Sequence, residues 1–566
     1  MNKKNPSKSL YPWRSHLKRL DKKTALIVVL CLVLILCMWT VRLNNIRVHG
    51  YDYQKFTTNP SGGYFSSDLV AQQIILHNWQ EGFRQGATTG DDTWVIKWPL
   101  YLLTNNLPMS QQIRYLIDTL IILWTTAIGL FCAAAYLIYQ LFESTKRRCF
   151  AMAITAVFLA SLPDITFEFL RWPNSRNIEL PIYLGLIIIL FLSEHKNWFL
   201  KRSWQKAVSI VVVSGLLFVD DPLMMYMTVL PLLLLLGVRY ILGSDRLTKT
   251  LKVGGLLVAS VMVMYILRFA LFALSPLRVY KHFPPSFDLA GIISSIQQLM
   301  ASSLRVVGIS FSTQGLPLSE KVYILLSIGL AASAIIGLII SLKKQPKSLF
   351  YQYLAIIFVW NCVVVATLGP IVLEDMGNSR YFIVFPIIEL IGLILLVSQI
   401  RLKRQFAALG LLLGLLLVAT TLLVSKTFSQ PPVTSQDNQR IITLVHSYGL
   451  AKGYSNYGEA NVDTYLSNYT TQYLSSVCVT DPNGQSKLKY YDLLSEEGVK
   501  HAMKVSKSFY LYFPDAGSQC DPTIITSQLG IPNQIITFSL NQSGEQAQLA
   551  IYNYDISSRL PDQVQH

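Results

Sequence analysis

Long apolar runs closed by Lys/Arg clusters repeat along this 566-residue chain, and no other feature limits its fold so tightly. The runs fall at 24–41, 113–142, 150–162, 178–193, 207–219, 223–242, 253–274, 322–342, 350–373, 381–400 and 406–424. The longer ones reach the roughly 20 residues a helix needs to cross a bilayer. Only 14% of the residues are charged, against about 25% in soluble domains. The spacing therefore predicts an α-helical polytopic membrane protein with about 11 transmembrane helices.

The formal net charge of +16 invites a nucleic-acid reading, and its distribution argues against one. The segments 1–23, 143–149, 194–206, 244–252, 343–348 and 401–404 hold 24 Lys and Arg and four acids, so the rest of the chain is net negative. Basic loops on alternate sides of successive spans follow the positive-inside rule and do not form a stripe for phosphates. They predict a plasma-membrane protein with its N-terminus in the cytoplasm and, after eleven spans, its C-terminus outside. Residues 1–23 read as a basic cytoplasmic tail, and 24–41 as an uncleaved signal anchor. Residues 24–425 form the transmembrane domain, with large outer loops at 44–107 and 275–319. After Pro431-Pro432 the composition turns polar, and 434–566 reads as an extracytoplasmic α/β domain. Strands are expected at 508–513 and 549–554, and a helix at 441–447. Of the seven cysteines, Cys478 and Cys520 lie in this domain, where an oxidising compartment would let them form a disulfide.

The first outer loop carries the first candidate for chemistry. From Asp68 the chain reads as a short amphipathic helix, with Ser67 as a plausible N-cap and Trp79, Trp94 and Trp98 at headgroup level. That would hold one carboxylate at the bilayer edge; a solvated acid at a helix start is the plainer reading. Asp91-Asp92 could bind a divalent cation, Mg or Mn, or simply form a polar Gly-Asp-Asp turn.

The runs at 150–162 and 207–219 have only about 13 apolar residues, too few to cross without tilt or a break. Their acidic ends, Asp164/Glu168 and Asp220-Asp221-Pro222, are expected on the same face as Asp68, around an outward cavity. Arg171, Arg176, Asn177 and Glu179 cluster at the start of the fourth run. Arginines there suit phosphate, because the guanidinium fork meets two oxygens at once; Glu179 could equally pair with one of them. Arg278, Lys281 and His282 in the second large loop could grip a diphosphate or face anionic headgroups. Arg380 and Tyr381, after Glu374 and Asp375, open the tenth run, where Arg380 could hold phosphate or form a local ion pair in a short turn. The chain has no phosphate-cradling Gly-x-x-x-x-Gly-Lys loop, no Gly-x-Ser-x-Gly elbow and no His-Glu-x-x-His zinc site.

Several short motifs together resemble the GT-C superfamily of membrane glycosyltransferases. They are Asp68 in the first outer loop, Trp98-Pro99-Leu100-Tyr101 at its close, Arg176-Asn177-Ile178-Glu179, Asp220-Asp221-Pro222, Arg380-Tyr381, and Gly453-Tyr454-Ser455-Asn456-Tyr457 with Asn461-Val462 and Tyr465-Leu466-Ser467. The resemblance implies an enzyme that transfers a sugar from a polyprenyl-phosphate donor, on the outer face, to a glycan, lipid or protein acceptor. It implies Asp68 as general base or metal-assisted activator of the acceptor. The paired acids of that superfamily are absent here, since Ser66-Ser67 precede Asp68 and Leu69 follows it. The expected mechanism holds the donor phosphate on Arg176 and Arg380, while Asp220 or Asp221 stabilises positive character at the anomeric carbon. The competing classes are a transporter or flippase of lipid-linked substrates, and a non-catalytic envelope scaffold.

Overall fold

The computed structural model describes residues 22–49, 95–171, 176–195, 204–243, 247–274, 296–309, 318–367, 382–400 and 403–427, with positions 293 and 316. In the C-terminal region it describes 436–455, 460, 463–464, 467, 470–480, 486–490, 505–513, 521–540 and 546–559.

Among the described residues, each of the eleven expected runs contains a helix. Seven are long and apolar enough to span: α1 (Lys22–His49), α3 (Gln111–Leu141), α8 (Pro222–Ile241), α9 (Leu247–Leu274), α11 (Leu318–Lys344), α12 (Leu349–Thr367) and α14 (Lys403–Thr427). Four are shorter: α4 (Thr145–Ala160), α6 (Glu179–His195), α7 (Trp204–Asp220) and α13 (Phe385–Gln399). Where plain outer loop is expected, the chain forms further helix. A 3-10 turn at Val95–Lys97 runs into α2 (Trp98–Asn105), α5 spans Asp164–Arg171, and α10 spans Ile296–Arg305. The expected helix from Asp68 lies outside the described residues.

Polar contacts fix the direction of α12 against two neighbours. Near the end of α6, Glu194 accepts from Ser348 Oγ (2.7 Å), Leu349 N (2.8 Å) and Phe350 N (3.1 Å), and so caps the start of α12. Near the end of α8, Arg239 donates to Lys347 O and Gln352 Oε1, both at 2.7 Å. Close to the start of α8, Trp360 Nε1 donates to Tyr226 O at 3.0 Å. Both α6 and α8 therefore run antiparallel to α12. The bundle gains an acidic end, where α6 begins and α7 finishes, and a basic end, where α11 closes on Lys343-Lys344.

At the acidic end α1 is latched to α4 and α5. Trp39 Nε1 donates to Leu159 O at 2.8 Å, and Arg42 donates to Leu162 O (2.8 Å) and Asp164 Oδ1 (2.6 Å). These carbonyls belong to the last turn of α4 and the residues after it, so the side chains satisfy groups that the helix cannot.

The closest helix pair, α11 and α13, meets backbone to backbone. A Cβ at Gly337 would fall onto Gly392 O and within 2.8 Å of Leu396 N; one at Gly392 would fall 2.6 Å from Ala334 O. Small residues at such crossings are how helices pack where lipid gives no hydrophobic drive. Gly337→Ala is expected to lower stability by about 1–3 kcal/mol through overpacking. A Cβ at Gly414 of α14 would meet nothing within 4 Å. Gly414→Ala should therefore be neutral or gain up to about 1 kcal/mol of helix propensity. Thermal unfolding in detergent compares the two; equal melting shifts would refute the close contact.

The C-terminal α/β domain is a mixed six-stranded sheet in the order β3-β2-β1-β4-β6-β5. Its strands are β1 (Lys452–Ser455), β2 (Gln472–Thr480), β3 (Ser486–Tyr490), β4 (Ser508–Tyr512), β5 (Gln534–Ser539) and β6 (Gln546–Tyr552). β1 lies parallel to both β2 and β4, and the other pairs are antiparallel. Helix α15 (Gln436–Ser447) packs Ile441 and Val445 on one face, against Tyr473, Phe509 and Leu511. Helix α16 (Pro522–Leu529) packs Ile525 and Leu529 on the other, against Leu474, Tyr510 and Tyr512. The period of two in Ser508–Tyr512 thus feeds two cores at once. Cys478 is disulfide-bonded, and Cys520 lies outside the described residues.

Asp463 is fully buried under α15, with Oδ1 accepting from Asn438 Nδ2 at 2.9 Å. Burial pushes its carboxyl up to about 7, against the opposing pull of that amide. The folded domain thus prefers the protonated acid. Its contribution to stability is complete below the ordinary aspartate range, near pH 4, and is lost as pH rises toward 7. Amide protection in α15 of the full-length protein should fall over that window by on the order of 2 kcal/mol, and Asp463→Asn should remove the fall. A wild-type profile flat from pH 4 to 7 would contradict it.

Candidate active site

Three separate segments deliver charged side chains to the acidic end. The 3-10 turn supplies Ile96 N and Lys97, with Pro99 starting α2 as a residue that needs no donor there. Glu179 opens α6, where a carboxylate complements the helix N-terminus. Asp220 ends α7. Asp221 is the N-cap of α8, and Pro222 follows it in the first turn.

Lys97 Nζ stands 3.1 Å from Glu179 Oε1, and both side chains are 0% exposed. Glu179 Oε2 accepts from Asn177 N at 2.8 Å, while Asn177 Oδ1 accepts from Ile178 N at 2.9 Å. Asp220, also 0% exposed, accepts from Ile96 N through Oδ1 at 2.8 Å and lies beside the Lys97–Glu179 pair. Two carboxyl groups beside one buried cation are costly to hold at the edge of an apolar bundle.

Asp221 has a different set of partners. Arg176 grips it with two hydrogen bonds, Nε to Oδ2 and Nη2 to Oδ1 (3.1 Å). Asp221 Oδ1 also accepts from Leu223 N at 3.0 Å, which caps α8. Behind the charges, Tyr101 and Ile122 are fully buried, with Trp98, Leu100, Tyr115 and Ile178 packed on them.

The structure thus brings together Arg176, Asn177, Glu179, Asp220 and Asp221 of the sequence-derived residues. Glu179 pairs with Lys97, where the sequence offered an arginine. Arg176 and Asp221 pair with each other. Arg171 ends α5, and its side chain lies outside the described ones. Asp68, Asp91, Asp92, Lys281, His282, Arg380 and Tyr381 lie outside the described residues. Lys97 has no place among the sequence-derived residues. Its only signal is a single cation between Ile96 and Trp98, one residue ahead of the Trp98-Pro99-Leu100-Tyr101 motif. Among the described residues no three His, Cys, Asp or Glu side chains gather as a metal site would need, and the Glu179–Asp220 pair has Lys97 where a cation would sit.

No protein-family model and no curated protein matches the chain. Solved structures do resemble it in three dimensions. The apo Archaeoglobus fulgidus oligosaccharyltransferase aligns over 89% of this chain and 70% of its own, with TM-score 0.48 and 11% identity. The same enzyme tethered to an acceptor peptide containing the NVT sequon aligns over 93% and 82%, with TM-score 0.45 and 10% identity. ArnT from Cupriavidus metallidurans in the apo state aligns over 89% and 95%, with TM-score 0.36 and 12% identity.

Proposed function

We propose that this chain is a membrane glycosyltransferase that moves a sugar from a polyprenyl-phosphate donor to a glycan, lipid or protein acceptor at the acidic end of its bundle. The observation that carries this reading is the buried meeting of Lys97, Glu179 and Asp220 from three distant segments. Ionisable groups at membrane depth are costly to keep, and they mark substrate or ion paths far more often than they serve packing. The positive-inside pattern turns this end and the C-terminal domain to the outside of the plasma membrane.

Division of labour follows from the contacts. Arg176 and Asp221 fix the start of α8, so the donor phosphate falls to Arg380, with Lys281 and His282, by charge-assisted hydrogen bonds. Asp68 takes the proton from the acceptor hydroxyl, and the acceptor oxygen bonds to the anomeric carbon as the bond to the donor phosphate breaks. Asp220 stabilises the positive character that develops there. A divalent cation, Mg or Mn, would enter through Asp91 and Asp92, and no step above depends on it.

Purified full-length protein, labelled polyprenyl-phosphate sugars and a membrane or wall extract test the reading. Label in the acceptor supports it. Movement of labelled lipid between leaflets without transfer would instead establish the transporter, and neither activity with glycan bound to the C-terminal domain would establish the scaffold.

A further inference from the structure

Asn361 in α12 is fully buried, and neither its Nδ2 nor its Oδ1 has a hydrogen-bond partner among the described residues. Buried amides are almost always paired, and in a membrane helix one satisfied at neither end is rarer still. Its position is informative. Glu194 caps Ser348–Phe350 and so sets the register of α12 on α6. From Leu349, twelve residues carry α12 about 18 Å toward the acidic end. The same rise back along α6 from Glu194 reaches Ile182, which brings Asn361 level with the first turn of α6. The register on α8 agrees. Trp360 bonds Tyr226 O, five residues or about 7.5 Å from Asp221.

The face is also fixed. Phe350, Tyr353, Leu354, Ile357, Asn361 and Val365 are all buried, whereas Phe358, Val359 and Val363 are exposed. Asn361 therefore belongs to the buried face of α12, at the level of the first turn of α6. Asp220 Oδ2 is likewise buried with no donor among the described residues.

From this juxtaposition we infer that Asn361 is a sugar-recognition residue, its amide taking a hydroxyl of the transferred sugar beside Asp220. The inference rests on the glycosyltransferase reading above and deepens it. An amide offers a paired donor and acceptor with no charge, which matches a hydroxyl that both gives and takes a hydrogen bond. A phosphate would call for a cation instead. Asn361 touches no bond that breaks; it selects and orients the sugar. A site built to bond a hydroxyl discriminates strongly, because its own polar groups are left unpaired by a ligand that lacks one.

Binding distinguishes this role from a structural one. The full-length protein in detergent is titrated with undecaprenyl phosphate and with undecaprenyl-phosphate hexoses, wild type against Asn361→Leu. The wild type is expected to prefer a sugar-bearing lipid by about tenfold or more, and the variant to bind both lipids alike while keeping its affinity for the sugar-free one. Leu also removes an unsatisfied amide, so the variant should melt no lower than wild type. Should it not fold, Asn361→Ala, which loses both the donor and the acceptor of the amide, is expected to show the same loss of preference. A wild type that prefers the sugar lipid and a variant that keeps the preference would overturn the role of Asn361 alone. A wild type that binds neither lipid would overturn the glycosyltransferase reading and this inference with it.

Discussion

Lys97→Met is expected to cost about 3–5 kcal/mol, because it strands a buried negative charge. Lys97 and Glu179 are both fully buried, 3.1 Å apart, and Asp220 adds a second carboxyl to the same point. Of the three groups, the lysine is the only cation. Without the lysine, the buried Glu179 carboxylate loses the cation it faces. Met keeps the length and apolar stem of Lys, so the loss reports charge and not volume. The double variant Lys97→Met/Glu179→Gln removes one charge of each sign and should recover most of the stability. Thermal unfolding of wild type, the two single variants and the double in one detergent reads this coupling directly. Additive losses in the double would show that the pair is not an isolated buried contact; no loss in Lys97→Met would show that water reaches it.

The same residues show what a sequence makes legible. Spans are readable because burial in lipid demands about 20 apolar residues, and basic clusters close them. Asp220-Asp221-Pro222 is readable as a turn because Asp and Pro are what a helix start uses, and Asp221 does cap α8. The pairings are not readable. Arg176 and Asp221 are 45 residues apart, Lys97 and Glu179 are 82 apart, and nothing local states which acid a cation will meet. Asn361 is hidden for a related reason. In the sequence it is one polar residue in an apolar run, and only the registers on α6 and α8 show its depth. The helices at Val95–Lys97, Trp98–Asn105 and Asp164–Arg171 are masked by the expectation that residues between spans are loop. They contain the amphipathic spacing, but their stability comes from packing on the bundle, which short segments do not announce.

Asp68→Asn is expected to lower sugar transfer on the order of a hundredfold or more while leaving donor binding intact. A base acts on the acceptor, so its loss should appear in turnover and not in the affinity for the polyprenyl-phosphate donor. Asn keeps the size and one acceptor of Asp and loses only the ability to hold the proton. The pH dependence adds a second readout. Transfer by the wild type should fall as pH drops through the titration of the base, and the residual activity of Asp68→Asn should lack that limb. Asp220→Asn is the informative companion. Its Oδ1 could still accept from Ile96 N, so the turn that carries Lys97 keeps its anchor. Loss of transfer there with Asp68→Asn nearly intact would move the base to Asp220, and with it the reacting centre to the buried point where Lys97 and Glu179 meet. Loss in both, with the acid limb missing only from Asp68→Asn, would keep the base in the first loop and leave Asp220 to stabilise the anomeric carbon.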